Sequence, residues 1–285
     1  MLADTIFNPA ASPQATSIWN DVVGPKYARH ERIMVESATR HSDRIWERFP
    51  IEPRDHVVDV GCGFGDTSQL LAARARRVTA VDCAAPLLSQ ARARYSRVEN
   101  LEFVLADAGQ YKPAAPVQAC FSRFGLTFFE RPVQSLKHLH SWLEPGALLG
   151  SLVWRSRREN PWLDLAHRVV LEVLPSVDED APNCGPGPFS MANPEVLTAQ
   201  LTAAGFHSVS LEPIDAEVNV GVDVDEAVEF QFALGPAGEV VRHPEAQGHN
   251  GLTQAREHLR HALARFEGPE GVNLASASWW VTARA

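Results

Sequence analysis

Three glycines at alternate positions, Gly61, Gly63 and Gly65, follow the apolar run His56-Val57-Val58-Asp59-Val60 and precede a helix-forming stretch that starts at Asp66. Glycines so placed permit a tight turn and let a ligand approach the backbone. The helix after them offers peptide N–H groups that have no partner within the helix. Any nucleotide-like ligand suits this much. Two features narrow the choice. A dinucleotide fingerprint places its third glycine where this chain has Asp66, and a carboxylate there repels a pyrophosphate. Acids also end the next two apolar runs. Asp82, in VTAVD, suits paired hydrogen bonds from ribose hydroxyls, and Asp107, in FVLAD, is placed to accept from an exocyclic amine. The ligand inferred is a nucleoside with an amino-acid-like tail and no phosphate.

These residues need a scaffold that brings the ends of separate strands together. From residue 56 onward, short apolar runs (HVVDV, VTAVD, LEFVLAD, VQACFS, ALLGSLVW) alternate with helical stretches at 66–76, 84–96 and 132–143. That alternation predicts βαβ units, with a parallel, doubly wound sheet buried on both faces. Residues 13–50 read as helical, from an apolar stripe through Ile33, Ile45, Trp46 and Phe49, and Pro53 ends them. Further helices are expected at 161–174, at 195–204 (stopped by Gly205), at 223–234 and at 252–266. HSVSLEPI and the final SASWWVTARA read as strands, and 175–194 as a long loop that could gate a site.

At this point the chain resembles the class I S-adenosylmethionine-dependent methyltransferases, and within them the group similar to ubiquinone/menaquinone-biosynthesis methyltransferases. VVDVGCGFGDTSQLLA matches the glycine motif, VTAVDCAAPLLSQAR the ribose motif, LEFVLADAGQY the adenine motif, and CFSRFGLTFFERPVQSLKHLHSWLEPGALLG the fourth-strand region. The resemblance implies an α/β, Rossmann-like, doubly wound sheet of seven strands, mostly parallel with an antiparallel last strand, plus helical cap elements. It implies an N-terminal helical arm or lid at 1–50 and a methyltransferase domain at 51–285, with cap insertions at about 155–194 and 220–270. It implies S-adenosyl-L-methionine as cofactor and S-adenosyl-L-homocysteine as product. Asp59, Gly61 and Gly63 would lie against the methionine moiety, Asp82 would hold the ribose, and Cys83 would flank the adenine. Asp107 and Ala108 would read the adenine edge, and Ser122 and Arg123 would line the methyl-donor side.

The acceptor is expected above the C-terminal ends of the fourth and fifth strands. Trp19, Tyr27, Phe124, Phe128, Trp154, Trp162, Phe189 and Met191 are candidate walls, with Phe230 and Phe232 beyond them. An aromatic enclosure of that kind fits a small organic molecule. No base motif stands out; Arg123, His138, His140 and His167 are the catalytic candidates. A thiolate, phenolate, amine or stabilised carbanion accepts a methyl group with little help, so a missing base is compatible with direct displacement. A solvated charged turn is the simplest account of Arg155, Arg157 and Arg158; the sharper alternative is that one of them meets an acidic group on the acceptor.

Composition excludes several other classes. The 285 residues are 45 % hydrophobic, enough for a substantial core. Lys and Arg number 26 against 35 Asp and Glu, a formal net charge of −9. That balance argues against a nucleic-acid partner, whose binding rests on phosphate neutralisation. No stretch reaches the roughly 20 apolar residues of a membrane span. The N-terminal residues lack a basic and then apolar leader, so a cytoplasmic monomer or homodimer is expected. Cys62, Cys83, Cys120 and Cys184 have no zinc-binding spacing, and no metal is expected. A fold that uses the cofactor only structurally, in a cyclase or dehydratase, is the alternative function; an RNA or protein methyltransferase is a further one.

Overall fold

The runs rich in Val, Leu and Ala form the parallel half of one sheet. The computed structural model describes residues 13–174, 187–243, 246 and 251–285. Strands β1 (His56–Val60), β2 (Arg77–Asp82), β3 (Leu101–Leu105), β4 (Val117–Arg123) and β5 (Leu143–Trp154) pair in parallel. Two long strands complete the sheet, β6 (His207–Gly221) and β8 (Gly271–Arg284), in the order β3-β2-β1-β4-β5-β8-β6. Strand β8 runs antiparallel to both β5 and β6. The two-residue strand β7 (Glu267–Gly268) only folds back on β8. The expected seven-stranded, mostly parallel sheet with an antiparallel final strand is therefore present on the main path.

Strand burial explains why the sheet needs cover on both faces. Val57 and Val58 are both fully buried but belong to different apolar clusters, as do Phe121 and Cys120. Successive side chains of a strand point to opposite faces. Helices α4 (Asp66–Ala72) and α5 (Ala85–Arg94) follow β1 and β2. Helix α6 (Pro132–His140) packs with α8 (Pro194–Ala204). Asn193 caps α8 by accepting from the N–H groups of Glu195 and Val196, and Gly205 ends it at φ 108°. Proline is tolerated within β6, at Pro213, because that strand is the sheet edge.

The N-terminal segment is less regular than its sequence suggests. Helices α1 (Pro13–Ile18), α2 (Gly24–Arg29) and α3 (Glu31–Ser42) are separated by a π-helical turn at Trp19–Val23 and a break at His30. A Cβ on Gly24 would stand 2.4 Å from the Trp19 carbonyl oxygen, so glycine permits this tight winding. Strands β6 and β8 start or end several residues beyond expectation, because they extend together and are covered by α3 and by α9 (Val224–Ala233). Helix α7 (Pro161–Leu171), α9, α10 (Gly235–Arg242) and α11 (Leu252–Ala264) pack on one another as a helical cap. Among the described residues no helix is long and apolar enough to cross a membrane.

Candidate functional site

One cavity opens at the C-terminal ends of β1, β2, β3, β4 and β5, where an open α/β sheet ordinarily binds its ligand. The glycine turn forms its floor. Gly61, Gly63 and Gly65 have φ of 70°, 53° and 77°, a region that side chains with a Cβ avoid. At Gly61 the reason is also steric: a Cβ would stand 2.8 Å from the Cα of Gly125, in the turn after β4. A Cβ on Gly63 would meet no atom within 4 Å, so that glycine faces open space.

Asp82 ties this floor to the neighbouring turn. Its Oδ2 accepts the Gly63 N–H at 2.8 Å and its Oδ1 accepts the Ala84 N–H at 2.8 Å. Burial pushes its pKa up, and those peptide N–H bonds pull it back. Asp59 is more isolated. Its Oδ2 accepts the Ser68 hydroxyl at 2.6 Å, while its buried Oδ1 has no hydrogen bond. Burial raises its pKa to about 7, opposed by the Ser68 bond and the nearby Arg123 charge. Asp107 follows β3 and accepts the Gly109 N–H at 2.8 Å and the Gln110 side chain at 3.1 Å. Asp59, Gly61, Gly63, Asp82, Cys83, Asp107, Ala108 and Arg123 all line the cavity.

Ser122 does not line it. Its fully buried hydroxyl donates to the Val60 carbonyl at 2.8 Å and so clamps β4 to β1 beneath the floor. Arg123 is a cavity residue but already holds an ion pair with Asp66 and reaches Ser42 Oγ at 3.4 Å. The three histidine candidates lie elsewhere. His138 bonds the Tyr111 carbonyl at 2.7 Å, His140 stands edge-on to Phe206, and His167 sits half-buried on α7. None of the three lines the cavity.

The aromatic wall is brought together from distant positions. Trp19, Tyr27, Phe124, Phe128, Trp154 and Trp162 line the cavity, with Phe230 from α9. Trp19 meets Tyr27 and Phe128 edge-to-face at 5.3 and 5.0 Å. Phe124 holds a left-handed backbone, φ 63°, and stacks on Trp154 at 3.8 Å. Such strain costs on the order of 1–3 kcal/mol and clusters at functional sites. Met191 instead is buried in the core, Phe189 packs half-buried against it, and Phe232 is covered by Arg256. Of the 175–194 loop, residues 175–186 lie outside the described residues; Pro188 reaches the cavity.

The arginines after β5 are spent on structure. Arg155 pairs with Glu159 and with Asp215 at 2.8 Å and lies over the Trp279 ring, and Arg157 pairs with Asp164 at 3.2 Å. Neither they nor Arg158 line the cavity. The sequence reading missed Glu239 and Arg242 of α10, which do. An acid and a base three residues apart on a short helix carry no signal of their own. Asn20 was missed as well. Its side chain donates to the Cys83 carbonyl at 3.0 Å and accepts the Ala85 N–H at 2.9 Å, which ties the N-terminal segment to the turn after β2. Among the described residues no cluster of His, Cys, Asp or Glu could hold a metal ion, and Cys62, Cys83 and Cys120 are free thiols.

Residues 57–146 match the family model described as a methyltransferase domain. Over that segment the chain is similar to methyltransferase domains, and the glycine floor and strand-end acids form a site of the kind that receives S-adenosyl-L-methionine. Among curated proteins the chain is 30 % identical over 159 residues to a trans-aconitate 2-methyltransferase of Paracidovorax citrulli, covering 54 % of this chain and 55 % of that one. It is 28 % identical over 137 residues to a trans-aconitate 2-methyltransferase of Escherichia coli O157:H7, covering 47 % and 51 %. The matched part spans about half the length of these relatives. Among solved structures the fold is similar to the YcgJ protein of Bacillus subtilis, with TM-score 0.58, 12 % identity and coverage of 86 % and 97 %. It is also similar to DhpI in complex with S-adenosylhomocysteine, with TM-score 0.51, 21 % identity and coverage of 70 % and 89 %.

The residues present fit that cofactor. The unpaired Asp59 oxygen leaves a buried carboxylate short of a donor, which suits a ligand carrying an ammonium group. The open face of Gly63 leaves room above the turn.

Proposed function

We propose that this protein transfers a methyl group from S-adenosyl-L-methionine to a small organic acceptor. The observation that supports this most is the continuity of the cavity: one space is lined by the glycine floor with its acids and by an aromatic wall built from the N-terminal segment, β4, β5 and the cap. When bound, the cofactor supplies a methyl group already activated on a cationic sulfonium. The chain's part is positioning, which can contribute up to roughly 7–11 kcal/mol. Asp82 and Asp107 orient the nucleoside, Asp59 neutralises the amino-acid tail, and Phe124 on Trp154 shapes the space beside them. The aromatic enclosure excludes water from the acceptor. The trans-aconitate methyltransferase relatives favour a small acceptor over a macromolecule. A cytoplasmic setting without nucleic-acid or membrane partners belongs to the same proposal, as does the oligomeric state of monomer or homodimer.

The test is formation of S-adenosylhomocysteine, followed by mass spectrometry, from S-adenosylmethionine and a panel of small acids, phenols, amines and thiols, with trans-aconitate included. Acceptor-dependent product carrying one added methyl group is expected. Tight cofactor binding with no methylated product across the panel, but turnover of a substrate by cyclisation or dehydration, would replace the reading with the structural-cofactor alternative.

In the proposed organisation, residues 1–50 act as a lid, and the insertions at about 155–194 and 220–270 form the cap. Asn20 is the lid's fastening to the cofactor side. Each hydrogen bond of this kind contributes about 0.5–1.5 kcal/mol. Asn20→Ala is therefore expected to speed S-adenosylhomocysteine release about five- to tenfold, read by stopped-flow tryptophan fluorescence. An unchanged release rate would show that the segment does not gate the site.

A further inference from the structure

The α10 face turned toward the cavity is chemically unlike the rest of the wall. Gly235, Glu239 and Arg242 line the cavity and stand at i, i+4 and i+7, one face of the helix. The opposite face, through Ala237, Val240 and Val241, is buried against α7 and α9. The helices that α10 packs on bring apolar residues to the same cavity: Trp162 and Leu163 from α7 and Phe230 from α9, with Leu234 just before α10.

Among the described residues neither the Glu239 nor the Arg242 side chain makes a hydrogen bond or a close ion pair. Other cations near this space are engaged. Arg123 holds Asp66, and Arg131 already has a partner. Lys26 donates from Nζ to the Ala233 carbonyl at 3.3 Å, and its pKa is lowered by burial and by the Arg242 charge. Glu239 has its pKa raised by burial, with Arg242 opposing the shift. A half-buried guanidinium with apolar walls around it is stabilised by an anion that brings its own hydrogen-bond acceptors.

We propose that Arg242 receives the carboxylate of the acceptor, that the acceptor carries one such group on an otherwise apolar body, and that Glu239 beside it excludes polyacids. The anionic capacity of the wall is limited to a single charge by its composition. A second or third carboxylate would lie against Trp162, Leu163 and Phe230 or against Glu239, and would lose hydration without gaining a partner. This separates the chain's acceptor from trans-aconitate, a tricarboxylate, even though trans-aconitate methyltransferases are among its relatives. Calling the ligand an acceptor rests on the methyl-transfer reading above; the charge preference of the wall does not.

The experiment is calorimetric titration of the full chain, with and without saturating S-adenosylhomocysteine, against three probes: 3-phenylpropionate, its uncharged amide and trans-aconitate. The expected result is at least tenfold tighter binding of the monoacid than of the amide, with trans-aconitate weaker than the monoacid. Arg242→Gln should reduce the acid-to-amide preference to under threefold while leaving the amide unaffected, and Arg242→Lys should keep part of the preference. Glu239→Gln should strengthen trans-aconitate several-fold. Circular dichroism and melting curves confirm that each variant folds. Equal binding of acid and amide, no acid binding at millimolar concentration, a preference that survives Arg242→Gln, or trans-aconitate binding tighter than the monoacid would each overturn the proposal. Failure of S-adenosylhomocysteine itself to bind would instead overturn the methyl-transfer reading, because the probe preference is also measured without it.

Discussion

Asp82→Ala is expected to weaken S-adenosylmethionine binding by about 1–3 kcal/mol, the cost of leaving a buried hydrogen-bonding partner unsatisfied, or roughly 5- to 150-fold in Kd. Two losses combine in this variant. The cofactor loses a carboxylate acceptor at the cavity edge. The chain also loses the bonds from the Gly63 and Ala84 N–H groups, so two turns that approach the ligand are no longer held together. Asp82→Asn separates the two effects. An amide keeps one acceptor oxygen but cannot accept both peptide N–H groups, so it should fall between wild type and Ala. Apo stability should move much less than binding, because removing a buried carboxylate relieves desolvation while the turn bonds are lost. Titration calorimetry reads the binding and thermal melts read the stability. An Asp82→Ala protein that binds within twofold of wild type would remove this residue from the site.

The second large effect is the pH dependence set by Asp59. Its pKa in the fold is about 7, raised by burial from the ordinary carboxylate value of 3.8. The folded form therefore holds a proton that the unfolded chain has released. Between about pH 4 and pH 7 the apo protein loses stability as pH rises, by about 1.4 kcal/mol per pH unit and about 4 kcal/mol in all. Below pH 4 both states are protonated and the cost vanishes. Cofactor binding runs the other way. An ammonium group near Asp59 favours the ionised carboxylate, so affinity should rise as pH climbs through 7, with uptake of cofactor releasing a proton. It should fall again above about pH 8, where an α-amino group loses its charge. Asp59→Asn should flatten the apo stability slope between pH 4 and 7, remove the acidic limb of the binding profile and weaken binding at pH 7.5. Calorimetry in buffers of different ionisation enthalpy counts the released proton. An unchanged acidic limb in Asp59→Asn would assign that limb to another group.

Much of the cofactor side was legible in the chain because its signals are local. A glycine at positive φ, a helix start and an acid at a strand end are decided within a few residues, and Gly61, Gly63, Asp82 and Asp107 do line one cavity. Ser122 marks the limit of that reasoning. Its place at a strand end pointed to the site, but strand alternation turns its hydroxyl to the Val60 carbonyl. Phe189 and Met191 show the same limit for apolar residues. Nothing in a single sequence distinguishes a phenylalanine or methionine of the core from one on a cavity wall; Met191 is buried in the cluster that holds α6 and α8, and Phe189 packs half-buried against the other cluster.

By itself, the sequence determined a doubly wound sheet, the glycine turn after its first strand, and the acids at its strand ends that line one cavity with that turn. These follow from periodicity and from glycine's conformational freedom, which act over short spans. Only the tertiary structure decided which charged side chains face the cavity. It spent Arg155 and Arg157 on ion pairs, left Asp59 with an unpaired oxygen, and turned Glu239 and Arg242 into the cavity. The physical reason is that a charged side chain's role is set by which partners lie within a few ångströms, and across the cap those partners come from helices dozens of residues apart.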